Sequence, residues 1–300
     1  MVILAHPDFW IEYIKNQNKI IPNQNYLEIF KIVMNLQNDF VYNHLWTAFF
    51  ESVLSNEVND SIDYVDVFNN IIINLHYNDR LIREDYNVIK NAVDFNNCFK
   101  KSSLINFLIV NEEKSLNNIK LERGTLIINN ICKPNRNWVY SAILKSNRAE
   151  QQGLDYRDFK SNEQIQIFIQ DLLNLKNPIS KRFYIQSDYL NFGEIFEKVR
   201  GKSITYCTSE YSKFELKNIS ELQAEKISVN TYFGSNASYV VSNNRQYLHP
   251  RTIFYNNIVI NIPHDFPQIM IENSNWYINL HYCPKTYLEK IRIISSYKKI

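Results

Sequence analysis

Glycine is scarce, 5 residues in 300, where average usage gives roughly 20. No G-x-G-x-x-G and no G-x-x-x-x-G-K-[ST] occurs. The backbone cradles that hold dinucleotides and nucleoside triphosphates therefore have no place here. The serine elbow G-x-S-x-G is missing as well, which excludes the usual α/β-hydrolase nucleophile. Cysteine is limited to Cys98, Cys132, Cys207 and Cys283, with no C-x-x-C pair. That argues against a zinc knuckle and against a disulfide scaffold, and predicts buried thiols in a reducing compartment. No run reaches the ~18 apolar residues of a membrane span. The opening MVILAHPDFW has no basic segment before its apolar stretch, so a secretory signal is not expected and a cytoplasmic location is. An excess of charge is also lacking: Lys+Arg is 33, Asp+Glu is 31, and the net charge is +2. Binding through bulk positive charge is excluded; a local basic groove is not.

What is present is apolar and aromatic. Hydrophobic residues make up 45% and aromatics 14%, enough for a packed core. Asn and Ile are abundant, a bias that points to an AT-rich microbial genome. No internal repeat is visible.

Periodicity predicts an α/β chain. In the first half, Val2 to Ala5 reads as a strand, and Phe9 to Lys15, Tyr26 to Leu36, Leu45 to Leu54 and Glu84 to Val93 read as helices. Val65 to Leu75 fits helix or strand. Leu104 to Val110 is too short for a typical helix and reads as a buried strand. Residues 131–179, rich in mixed charge and broken by Pro134 and Gly153, read as a connector with helical pieces, among them a helix at Ile165 to Leu175. The expected division is a helix-rich α/β domain over 1–130, the connector, and a second domain over 180–300. In that second domain the order is clearer: strands at Arg182 to Ile185, Lys202 to Thr208, Ser228 to Phe233, Leu248 to Tyr255, Ile258 to Ile262 and Trp276 to Tyr282. Helices are expected at Phe192 to Val199 and Ile219 to Lys226, and Lys285 to Ile294 fits either type. Asn256-Asn257 tolerates positive φ and suits a tight hairpin. The predicted architecture is an α/β sandwich on a mixed sheet.

The most specific local signal is His249-Pro250-Arg251-Thr252-Ile253-Phe254-Tyr255-Asn256. Strand alternation places His249, Arg251 and Ile253 on one face. An imidazole and a cation so spaced can hold a phosphate, the first attacking phosphorus and the second offsetting charge on its oxygens. This spacing resembles the H-x-K-x4-D motif of the phospholipase D superfamily, with His249, Arg251 and Asn256 at the three positions. The nearer likeness is to the phospholipase D-like domain at the C-terminus of MIT-domain proteins, where H-x-R replaces H-x-K. It covers roughly 180–298. The resemblance implies a phospholipase D-like fold and metal-free phosphodiester chemistry at His249, without a cofactor. Arg251 would steady the phosphate oxygens, Asn256 would fix the hairpin, and Arg245, His264 and His281 would be candidate substrate contacts. The family reaction uses two histidines, and the chain carries one motif. A homodimer would supply the second.

In the first half, the strand ending at Asp8 and the strand ending at Glu112 are similar to those of PIN-type nucleases. There, clustered carboxylates hold Mg²⁺ or Mn²⁺ and activate water. Asp8, Glu51 and Glu112 are the implied metal ligands, with Asp85 or Asp94 in reserve. The expected function is a nucleic-acid or phosphodiester-handling protein, such as a nuclease of microbial antiviral defence or a mobile element. Its partners would be nucleic acid and a second copy of itself. The alternative is a non-catalytic module that recruits a protein partner and keeps a degenerate phosphate site.

Overall fold

The structure is a computed structural model. It describes residues 2–17, 30–31, 33–34, 38–57, 62–82, 107–110, 126–128, 155–159, 162–173, 175, 180–188, 190, 192, 194–212, 215–243, 251–262 and 276–300. The chain forms two compact units. The first comprises Met1–Asn147 with Leu175–Pro178, the second Arg148–Asn174 with Ile179–Ile300.

In the first unit, β1 (Val2–Ala5) leads through His6 into α1 (Pro7–Gln17). Then come β2 (Asp39–Val41), α2 (Thr47–Leu54), α3 (Tyr64–Tyr77), β3 (Leu81–Ile82), β4 (Phe107–Ile109) and β5 (Leu126–Ile128). The strands form a five-stranded sheet in the order β3-β2-β1-β4-β5, with every pairing parallel. Parallel strands are covered on both faces, which is why β1 and β4 read as unbroken apolar runs. Ile3, Leu4, Phe107, Leu108 and Ile109 are fully buried. The segment that fitted helix or strand is α3. Asp63 caps it, accepting from the backbone N–H of Val65 and Asp66 at 2.9 and 3.0 Å. Tyr64, Phe68 and Leu75 form its buried side. Phe68 meets Trp10, Tyr42 and Phe50 at ring-centroid distances of 5.8, 5.7 and 5.3 Å. Arg80 ties this unit together from inside. Its Nε and Nη2 donate to the Asn38 carbonyl at 2.9 and 2.8 Å, and its Nη1 donates to that of Met34 at 3.1 Å. The guanidinium lies 5.6 Å from the Phe40 ring centroid. The helices read at Tyr26 to Leu36 and Glu84 to Val93 fall largely outside the described residues.

The second unit begins earlier than its sequence implies. β6 (Asp155–Phe159) and α4 (Asn162–Leu173) lie within residues 131–179, expected to be a connector with helical pieces; α4 matches the helix expected at Ile165 to Leu175, and β6 was not foreseen. β6 pairs antiparallel with β14 (Trp276–Tyr282), so the segment is an edge strand of the second unit's sheet. Its dense charge hid it, because a charged run shows little of the apolar alternation that marks a strand in sequence. Next come β7 (Phe183–Gln186), a 3-10 helix Glu194–Val199, β8 (Ile204–Ser209), and a short hairpin of β9 (Tyr211–Ser212) and β10 (Glu215–Leu216). Then follow α5 (Ile219–Phe233), β11 (Ala237–Ser242), β12 (Arg251–Tyr255), β13 (Ile258–Ile262), β14, α6 (Pro284–Ser295) and β15 (Lys298–Lys299). The eight-stranded sheet runs β15-β11-β8-β7-β12-β13-β14-β6. β7, β8 and β11 are parallel and the remaining pairings antiparallel.

The mixed α/β architecture expected from the sequence is therefore present. One strand was misplaced: Ser228 to Phe233 is the end of α5, and the strand is β11, a few residues later. α6 covers one face of the sheet, with Tyr287 and Ile294 packed on Cys207, Val240, Phe254 and Val259. On the opposite face, Phe233 of α5 meets Phe192, Phe196 and Tyr206 at 4.9, 5.9 and 6.2 Å.

Candidate functional site

Along the inner strands, apolar side chains give way to polar ones at one edge. Phe183 and Ile185 of β7, Ile204 and Tyr206 of β8, and Ile253 of β12 are all buried on the α5 side of the sheet. Thr252 stands opposite Gln186, and Gln186 opposite Cys207. One step further, Arg251, Ser187 and Thr208 occupy neighbouring strands at the same level. The Ser187 N–H donates to the Cys207 carbonyl at 3.0 Å, which carries the ladder to that step. Neighbouring strands lie about 4.8 Å apart, and side chains at one level share a face. Arg251 thus shares a row with two hydroxyls. Arg251 is 7% exposed, and Ser187 and Thr208 are 0%.

This row closes the C-terminal ends of the parallel strands β7 and β8. It lies where the chain, having built β8 and β11 on one side of β7, returns to lay β12 on the other. Such switch points open the crevices in which α/β sheets bind ligands. The opposite face of the same edge is polar too. Gln186, Ser209, Ser242 and Thr252 are buried there, and the Thr252 hydroxyl donates to Asn261 Oδ1 at 3.2 Å. Asp188 follows Ser187 and is half-buried.

The groups behind the row are hydrogen-bonded. Burial pushes the Tyr206 hydroxyl well above the usual tyrosine range, opposed by its hydrogen bond with Ser187 and reinforced by the charges of Glu225 and Asp188. Burial likewise pushes the Cys207 thiol up. Lys217 donates to both Glu225 oxygens at 2.9 and 3.0 Å, and the Tyr239 hydroxyl donates to Glu225 Oε2. Thr208 Oγ1 is one of several buried side-chain atoms here with no hydrogen-bond partner, as are Arg251 Nε and Asp188 Oδ1.

Of the residues singled out from the sequence, Arg251 is in this row. His249, Arg245 and His264 lie outside the described residues. Asn256 is at the other end of β12, in the hairpin turn, with φ of 50°. Five residues of strand span roughly 16 Å, so Asn256 and Arg251 stand at opposite ends of β12. Asn256 holds the turn: its Oδ1 accepts from the Ser180 N–H at 3.3 Å. The backbone of His281 pairs with Val259, whereas Arg251 pairs with Ile262, three residues along β13.

In the first unit, Asp8 sits in the first turn of α1. Its Oδ1 is 3.0 Å from His6 Nδ1, and its backbone N–H is 3.2 Å from the same nitrogen. Glu51 is in α2, half-buried. Glu112, Asp85 and Asp94 lie outside the described residues. Among the described residues, no three His, Cys, Asp or Glu side chains gather in a way that could hold a metal ion.

Sequence reading missed Ser187, Asp188, Thr208 and Ser242. Their signal was faint but physical: each closes an apolar run, FYIQ before Ser187-Asp188, ITYC before Thr208, and YVV before Ser242.

No family model matches this chain, and no curated protein matches it in sequence. Among the described residues, no helix is long and apolar enough to cross a membrane.

Proposed function

We propose that this protein binds and processes nucleic-acid phosphodiesters at the C-terminal edge of β7 and β8 in its second unit. The observation that carries this reading is Arg251, a residue more than nine-tenths buried and level with two hydroxyl-bearing residues. A planar cation with five donors suits phosphate oxygens. In the resemblance to phospholipase D enzymes, His249 two residues before Arg251 is the nucleophile, and a second copy of the chain contributes the second histidine. Hydrolysis then needs no metal. The carboxylates Asp8, Glu51 and Glu112 would instead make the first unit a Mg²⁺- or Mn²⁺-dependent centre.

The test is cleavage of labelled single- and double-stranded DNA and RNA, with and without EDTA, by wild type and His249→Ala. The reading predicts cleavage that survives EDTA and disappears in the variant. Cleavage that needs metal and ignores the substitution would transfer the activity to the first unit. A second reading, a recruitment module, draws on the exposed apolar side chains Leu216, Ile219 and Ile227, which are 60%, 72% and 65% accessible. It predicts no cleavage of any substrate and retained biological activity in His249→Ala.

A further inference from the structure

We infer that the basic edge at the N-terminal ends of β7 and β8 is a docking surface for single-stranded nucleic acid. It takes the ligand class of the reading above but not its site, because this edge lies at the opposite end of these strands from the level of Arg251.

Two turns meet here. Ser180, Lys181 and Arg182 lead into β7, and the 3-10 helix Glu194–Val199 leads through Arg200, Gly201, Lys202 and Ser203 into β8. Phe183 stands opposite Ile204, and the Phe183 N–H donates to the Ser203 carbonyl at 2.9 Å, so the two turns lie side by side. Their sequence sets five cations, Lys181, Arg182, Lys198, Arg200 and Lys202, against two carboxylates, Glu194 and Glu197. That surplus of three exceeds the +2 of the whole chain. All five cations are exposed. Among the described residues, the side chains of Lys181, Lys198 and Lys202 make no ion pair or hydrogen bond.

The two arginines are anchored instead. Arg182 Nε donates to Ser203 Oγ at 3.1 Å, and its Nη1 to Thr205 Oγ1 at 3.4 Å. Arg200 Nε donates to the Tyr232 carbonyl at 2.9 Å, and its guanidinium lies over the Tyr232 ring, 5.2 Å from the centroid. Gly201 fixes the turn beside it: φ of 74° suits glycine, and its N–H donates to the Phe233 carbonyl at 2.8 Å. Holding a side chain before a ligand arrives lowers the cost of binding.

The chemistry of the edge selects the partner. A phosphodiester backbone repeats its negative charge along its length, and cations in a row displace its counterions. Arg200 adds a feature that a chain of carboxylates does not use: a planar cation backed by an aromatic ring, on which unpaired bases stack. An anionic membrane fits less well, since membrane-surface sites set apolar side chains beside their cations. The exposed apolar residues Leu216, Ile219, Ile227, Leu288 and Ile293 belong to β10, α5 and α6, not to these turns.

Binding is read by fluorescence anisotropy of a labelled oligothymidylate strand from about 50 to 200 mM salt. The proteins are wild type, Lys198→Gln with Lys202→Gln, Lys181→Gln, Arg200→Lys and Arg251→Met, each also melted without ligand. Each phosphate contact to a single strand contributes about 0.7 to the slope of log K against log salt. The double variant should make that slope shallower by about 1.4, and Lys181→Gln by about 0.7, with melting temperatures unchanged. Wild type should prefer oligothymidylate to an abasic strand of the same length, and Arg200→Lys should lose most of that preference while keeping the slope. Unchanged slopes in the lysine variants, with weaker binding by Arg251→Met, would overturn the docking edge and leave the reading above standing. Shallower slopes with wild-type affinity in Arg251→Met would do the reverse. Polyglutamate, or vesicles containing phosphatidylserine, bound as tightly as the strand would overturn the assignment in favour of a protein or a membrane. No binding of the strand by wild type would overturn both.

Discussion

At the turn between β12 and β13, Asn256 and Asn257 take φ of 50° and 65°, a region that asparagine tolerates better than most side chains. That pair could be read from the sequence because a turn's chemistry is local. The titrating groups of the core could not be placed in that way. Cys207, Tyr206, Tyr239 and Tyr287 owe their shifts chiefly to burial, and Tyr287 is pushed up to about 12. In the unfolded chain a thiol ionises near 8.5 and a phenol near 10. The folded protein holds these protons to higher pH, so between about pH 8.5 and 12 the unfolded state binds fewer of them. Stability should therefore be fully present below that window and fall as pH rises through it. Urea midpoints at pH 7, 9 and 10.5 should decrease in that order. A flat profile would mean that these groups are not buried as described. The same dependence on neighbours kept Thr208 and Ser187 hidden, since a hydroxyl that closes a strand's run is only a faint signal until register sets it in a row with a cation.

At the level of elements, α5 shows how one segment can satisfy two patterns. SVNTYF alternates like a strand. It is helical because the helix starts ten residues earlier with a capping box. The Asn218 side chain accepts from the Glu221 N–H at 3.0 Å, and the Glu221 carboxylate accepts from the Asn218 N–H at 2.7 Å. Once begun, the helix carries Leu222, Val229 and Phe233 along its buried side, and tertiary packing outweighs the β preference of the last residues. Asn218→Ala should destabilise the second unit by about 1 kcal/mol. Chemical denaturation measures that directly, and an unchanged midpoint would show that the box is not holding the helix start. β2, β3 and β11 escaped prediction for related reasons. The first two are too short to show a period, and the third was displaced by the strand assigned to the end of α5. By contrast, β13 and β14 were read to the residue, because a tight hairpin turn and a run of alternating residues are local signals that survive without knowledge of neighbours.

At the scale of the whole molecule, a net charge of +2 spread over 300 residues gives little long-range attraction for a polyanion. If the protein binds nucleic acid, the affinity must come from a local cluster, and Arg251, level with Ser187 and Thr208, is one such group among the described residues. The most direct measurement is fluorescence anisotropy of a labelled single-stranded DNA at fixed salt, comparing wild type with Arg251→Lys and Arg251→Met. Lysine keeps the charge and loses the fork; methionine loses both. The account predicts affinity about tenfold weaker for lysine and weaker still for methionine. Wild-type affinity in both variants, with melting curves intact, would contradict it.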